Sequence, residues 1–246
     1  MKTALSRCSI YLVTRGWRQA KWTPPVARGR EAAATDEMNI LAGYAGDADD
    51  LITRFEALRT VDVLAPVMAL LPTRASRILD VGAGTGRDAA WFAGHGHDVV
   101  AVEPVPELRR AGMDLHRLAN LAWLDDSLPL LASVTAGGAV FDLIVAIGVW
   151  QHLRAEEQPR ALTTLATLVA PEGRLIISVR HGPGAPTRPC FGANVDQMIG
   201  CAEGAGLKLL MRQEAESVQQ QNRDAGVRWT WLCLERDREK RWPPKP

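Results

Sequence analysis

Five short apolar, β-branched runs alternate along the chain with segments of helical spacing: "RILDVG" from Arg77, "DVVAV" from Asp98, "LAWL" from Leu121, "DLIVAI" from Asp142 and "RLIISV" from Arg174. The helix-like pieces between them are Gly86 to Gly94, Pro106 to Leu118, the region before Asp142, and Ala155 to Val169. Strands recurring at such intervals need right-handed crossovers, so the pattern predicts an α/β fold with a parallel sheet covered on both faces. Two helices with acidic first turns, Asp47 to Leu58 and Val61 to Leu71, are expected ahead of the first strand. The end of the chain breaks the pattern. After a helix near Asn194 to Ala205, "LKLLMRQ" and "VRWTWLCL" flank the polar loop "ESVQQQNRDAG" and read as an antiparallel hairpin. In its second arm Val227, Trp229, Trp231 and Cys233 alternate with Arg228 and Thr230, which predicts a strand with one better-buried face.

With 246 residues, 47% of them apolar, the chain can bury one sizeable core, and no repeat or interdomain linker divides it. We read residues 38–235 as one domain. Residues 1–37 form a basic extension expected to be disordered, and residues 236–246 a charged, proline-rich tail. Residues 1–30 carry seven Lys or Arg and no acid, which suits a disordered tail, a targeting peptide, or translation upstream of an initiator at Met38. A net charge of +1 produces no field that would draw in nucleic acid or an anionic membrane, so a small-molecule partner is expected. Cys8, Cys190, Cys201 and Cys233 are scattered, with neither metal-ligand spacing nor a disulfide framework, which suits a cytoplasmic protein without a metal. Pro129, Gly137-Gly138 and Asp142 interrupt the apolar stretch from Leu128 to Trp150, so no membrane span is expected.

The first run continues into "LDVGAGTGRD", Leu79 to Asp88, a strand entering a glycine-rich turn where a ligand can touch backbone. Three nucleotide ligands compete for such a turn. A triphosphate loop needs Gly-Lys-Ser/Thr, whereas Thr85, Gly86, Arg87 and Asp88 follow Gly84. A dinucleotide fingerprint needs glycine at its sixth place, which is Arg87. Asp80 decides between them: a carboxylate at the mouth of the turn repels a pyrophosphate and favours a cation such as S-adenosylmethionine, with its ammonium and sulfonium. Glu103, at the end of the second strand, can accept both ribose hydroxyls, of NAD as readily as of S-adenosylmethionine. Leu124-Asp125-Asp126 ends the third strand, where a carboxylate can accept from an adenine amine.

The stretch "ILDVGAGTGRDAAWFAGHGHDVVAVEP" resembles the nucleotide-binding signature of class I S-adenosylmethionine-dependent methyltransferases, in their small-molecule branch. The resemblance implies a Rossmann-like, doubly wound seven-stranded sheet whose antiparallel last strand inserts beside the fifth. It implies that Asp80, Gly82, Gly84 and Gly86 surround the methionine part, Glu103 the ribose, and Asp125 or Asp126 the adenine, with Ala83, Thr85, Pro104, Leu124 and Gly148 completing the cofactor-binding set. Gly148 belongs to the segment after the fourth strand, "AIGVWQHL", where Glu-His is commoner in the family than Gln151-His152. Tyr44 and Arg54, on the leading helices, are candidates to close over the cofactor. His152 is the candidate base, or else shapes the pocket floor. Trp150 either faces the sulfonium or packs in the core. Arg180 and His181 are either substrate contacts or a loop pair. The implied reaction is in-line transfer of a methyl group to an oxygen or nitrogen of a small metabolite. The alternatives are a protein or peptide acceptor, an NAD(P)-dependent oxidoreductase, and a binding module without turnover.

Overall fold

The structure, a computed structural model, describes residues 31–237; most of the basic extension and all but the start of the tail lie outside the described residues. In chain order, α1 (Glu31–Gly46), α2 (Ala48–Glu56) and α3 (Thr60–Val63), followed by a 3-10 turn (Ala65–Leu70), precede β1 (Arg77–Val81). Then come α4 (Arg87–Gly94), β2 (Asp98–Val102), α5 (Pro106–Leu115), β3 (Leu121–Leu124), α6 (Ala132–Ala136) and β4 (Phe141–Ala146). A 3-10 turn (Trp150–His152), α7 (Gln158–Leu168), β5 (Val169–His181), α8 (Val195–Gly204), β6 (Leu207–Glu216), α9 (Gln220–Asp224) and β7 (Arg228–Arg236) complete the chain.

The seven strands lie in the order β3-β2-β1-β4-β5-β7-β6, the first five parallel and β7 antiparallel to both its neighbours. The doubly wound sheet is therefore as expected. On one face Leu79, Val81, Ile144 and Ile177 pack against Leu162 and Leu165 of α7 and Met198 of α8. On the other, Ile78, Leu143, Val145 and Ile176 pack against Phe92 of α4 and Leu64 and Val67. Successive residues of a strand serve opposite layers, which is why these strands read as continuous apolar runs rather than alternating ones. The crossover direction carries every parallel strand's carboxyl end to one edge.

Four expectations need correction. α1 begins at Glu31, inside the stretch read as a disordered extension. The helix expected over Val61 to Leu71 is α3 plus a 3-10 turn, because Pro66 has no N–H to continue the ladder. The polar loop of the terminal hairpin contains α9. Finally, β7 has no better-buried face: Thr230 and Leu232 are as fully buried as Trp231 and Cys233, since the strand lies between β5 and β6 under both helical layers.

Candidate active site

At the carboxyl edge of the sheet lies a cavity of about 520 Å³, within the usual range for a small-ligand pocket. The end of β1 and the turn after it contribute Asp80, Gly82, Ala83, Gly84 and Thr85; the residues directly after β2 contribute Glu103 and Pro104. Gly148 and His152 follow β4, Ser178 and Arg180 come from β5, and Trp229 and Trp231 from β7. Tyr44 of α1 and Phe55 of α2 close over the top. The turn is held against β2 by the Gly82 and Ala83 amides, which donate to the Val102 carbonyl at 2.8 and 2.9 Å. Gly82 has φ +70°, and a Cβ there would strike the Val149 side chain, so only glycine satisfies both backbone and packing.

Acids set the electrostatics of one half of this cavity. Asp80 is buried and its Oδ2 has no hydrogen-bond partner. Burial, reinforced by the nearby Asp88 carboxylate, pushes the Asp80 carboxyl up to about 8, with Arg87 pulling weakly the other way. Burial likewise lifts Glu103 to about 7, against the opposing effect of two backbone donors: Gly84 N–H to Oε2 at 2.8 Å and Val105 N–H to Oε1 at 2.9 Å. Two carboxyls held partly neutral at one rim, one with an unsatisfied oxygen, form a site that a cation would complete and a phosphate would not. Each Glu103 oxygen keeps a lone pair for a hydroxyl. The donor set therefore fits the charge and ribose of S-adenosylmethionine.

Sequence reasoning missed how α2 is fastened over the turn. Thr85 Oγ1 donates to Glu56 Oε1 at 2.5 Å, and Arg87, ion-paired with Asp88 at 2.7 Å, donates to the Phe55 carbonyl at 3.0 Å. The only signal for this was the position of Phe55 and Glu56 next to Arg54 on one helix.

The other half of the cavity is organised around a histidine. His152 Nδ1 lies 3.2 Å from the Pro189 carbonyl, which can only accept, so Nδ1 is assigned the proton and Nε2 the lone pair. The Tyr44 hydroxyl then donates to Nε2 at 2.9 Å. Burial holds the His152 pKa down at about 4, with the Arg188 and Arg180 charges adding to it, and lifts the Tyr44 phenol to about 12. Arg188, ion-paired with Asp47, stacks 5.0 Å from the centre of the Tyr44 ring. It sits in the loop after β5, where spacing gave no hint of an aromatic partner 144 residues earlier in the sequence.

Six candidate residues lie off the cavity wall. Arg54 is turned to Gln219, with Nη2 donating to Oε1 at 3.1 Å. Gly86, φ +77°, makes room for the Trp123 indole rather than for a ligand. Leu124 packs against the core, and Asp125 points outward to Arg109 at 2.9 Å. Asp126 does reach the wall, but its carboxylate is occupied as the N-terminal cap of α6, accepting from Ser133 and Val134 amides at 2.7 and 3.2 Å. Trp150 is fully buried in the core cluster, which overturns its reading as a face for the sulfonium: the 3-10 turn directs its indole inward among aliphatic side chains. His181 bonds Thr230 Oγ1 at 2.7 Å on the opposite face of β5 from Arg180, because adjacent strand residues alternate.

Residues 46–240 match the model of the Methyltransferase domain family. The chain belongs to this family. Among curated methyltransferases, it is 35% identical over 106 residues to an uncharacterized methyltransferase of Mycobacterium tuberculosis, an alignment covering 43% of this chain and 40% of that protein. It is 29% identical over 159 residues to a ubiquinone biosynthesis O-methyltransferase of Xanthomonas oryzae pv. oryzae, covering 63% and 64% of the two. The alignments thus span less than two thirds of these relatives. Among solved methyltransferases, the 1,6-didemethyltoxoflavin-N1-methyltransferase of Burkholderia thailandensis, crystallised with 1,6-didemethyltoxoflavin and S-adenosylhomocysteine, shares the fold with a TM-score of 0.64 at 22% identity, covering 87% of this chain and 94% of that one.

Proposed function

We propose that this protein transfers a methyl group from S-adenosylmethionine to an oxygen or nitrogen of a small metabolite. The observation that carries the reading is the buried Asp80 carboxylate, with an unpartnered oxygen on the cavity wall beside Gly82. When bound, the sulfonium supplies an electrophilic methyl and a neutral thioether leaving group. Asp80, whose Oδ2 has no protein partner, would receive the donor's cationic end, and Glu103 would accept from its ribose hydroxyls. Pro104, Leu128 and the Asp126 segment, all on the cavity wall, would hold the adenine.

The chain's work on the acceptor is to orient it and exclude water, which is enough for a reaction whose leaving group is already good. Tyr44 presents its oxygen to the acceptor while its own proton is directed to His152 Nε2. His152 thus holds the tyrosine in position and acts as a positioning residue more than as a free base. A net charge of +1 and a cavity of metabolite size support a small acceptor over nucleic acid. Cys190, Cys201 and Cys233 are all free, which agrees with a reducing, cytoplasmic setting. Among the described residues no helix is long and apolar enough to cross a membrane.

Calorimetry with S-adenosylhomocysteine and, separately, NADH tests the assignment. Micromolar binding of the former alone supports it. Tight NADH binding without S-adenosylhomocysteine binding would make the protein an oxidoreductase. Mass spectrometry of the purified chain for co-purifying S-adenosylmethionine or its demethylated product tests it without any knowledge of the acceptor.

A further inference from the structure

Two arginines lie on the cavity wall among the described residues, and they differ in one respect. Arg87 is neutralised by Asp88. Arg180 is ion-paired with no carboxylate: its Nε and Nη2 donate to the Pro183 carbonyl at 3.3 and 2.7 Å, and Nη2 also reaches Asn222 Oδ1 at 3.4 Å. Glu216, an acid on the same wall, forms no ion pair with it. The guanidinium is further fixed over the Trp229 ring, 5.6 Å from its centre. Three neutral contacts hold the cation in place without consuming its charge, and Nη1 is left with no protein acceptor among the described residues. The Arg180 charge acts on Tyr44 and His152 in the same half of the cavity.

This end of the cavity therefore offers a guanidinium that no carboxylate neutralises, where the Asp80 end offers buried acids, and it is flanked by flat rings, Trp229 and Trp231. A rigid, pre-oriented guanidinium beside aromatic surface is a receptor for a planar anion. We infer that the methyl acceptor is an aromatic or similarly planar molecule bearing an acidic group, carboxylate or phosphate, which Arg180 binds while the ring lies against Trp229. The inference rests on the methyltransferase reading of the same cavity and narrows its acceptor class. The separation of charge also orders the two ligands: the donor's cation goes to Asp80 and the acceptor's anion to Arg180, so neither occupies the other's place.

The test uses the full chain saturated with S-adenosylhomocysteine and titrated with three probes: 3,4-dihydroxybenzoate, the uncharged 3,4-dihydroxybenzamide, and phenyl phosphate. One of the two anions should bind about tenfold or more tightly than the amide, the ordinary worth of a charged hydrogen bond, and the preferred anion distinguishes carboxylate from phosphate. Arg180→Met should abolish the preference, Arg180→Lys should retain part of it, and both variants should bind S-adenosylhomocysteine within about twofold of the parent, which also reports that they fold. Equal binding of amide and anions, or no binding of any probe, would overturn the inference. So would a loss of S-adenosylhomocysteine affinity in Arg180→Met matching the loss for the anion, since that would assign Arg180 to the donor's carboxylate. If the parent binds no S-adenosylhomocysteine at all, the methyltransferase reading fails first, at a step that precedes any probe.

Discussion

The two halves of the cavity are built by opposite strategies. The half around Asp80 and Glu103 comes from two adjacent strand ends and one turn, Asp80 to Thr85 and Glu103 to Pro104, all within 25 residues of sequence. The half around His152 draws on α1, the turn after β4, β5, the loop before α8, α9 and β7, which span Tyr44 to Trp229. The first half presents acids whose burial leaves them short of a counterion; the second presents a fixed cation, Arg180, and a neutral Tyr44–His152 pair. A ligand shared by many enzymes can be met by a compact local motif, whereas a ligand particular to one must be met by whatever side chains the topology converges.

Substitution at Asp80 should separate the halves most sharply. Asp80→Asn keeps the shape but gives up the charge, so S-adenosylmethionine affinity should fall about 10–100-fold, the ~1–3 kcal/mol of a charged hydrogen bond. The same change should raise the melting temperature of the ligand-free protein above pH 4. The sign follows from the raised carboxyl pKa: between its ordinary 3.8 and the folded value of about 8, the unfolded chain gives up a proton that the folded one retains, so Asp80 costs stability increasingly as pH rises through that window. A melting temperature that falls with Asp80→Asn would mean that the carboxylate has a structural partner rather than an awaited ligand.

Next in size is Tyr44→Phe, which removes a hydroxyl from the acceptor half only. Turnover should drop about tenfold while S-adenosylhomocysteine affinity changes by less than about twofold. A parallel loss of both would place Tyr44 in the donor half. The pH profile sharpens the point: with His152 held at about 4 rather than 6.5, the Tyr44–His152 bond persists down to about pH 4, and turnover should show no acid limb near 6.5. In stability terms the depressed histidine makes its full contribution above 6.5 and loses it as pH falls from 6.5 toward 4. An acid limb at 6.5 that vanishes in His152→Gln would restore the histidine as a base.

Smaller effects test the residues set outside both halves. Asp126→Ala should cost about 1 kcal/mol of stability through loss of the α6 cap, with donor affinity changed little. Arg54→Gln should leave both affinity and stability within experimental scatter, since its guanidinium is exposed and tied only to Gln219.

The sequence by itself determined the sheet and the acidic half of the cavity. Alternating apolar runs imply parallel strands, parallel strands bring their carboxyl ends to one edge, and the acids ending "RILD" and "DVVAVE" had to meet there. Local pattern also carried the glycine turn, because Gly82 answers to a backbone requirement that no tertiary contact can override. Tertiary structure alone decided which of two neighbouring candidates faced the cavity. Trp150 and His152 are two residues apart in one short turn, yet one is core and the other is site. Arg180 and His181 are adjacent on β5, and the pleat sends them to opposite faces. The convergence of Tyr44, Arg188 and Pro189 on His152 was invisible for the same reason: periodicity reports which face of an element is buried, not which distant element covers it.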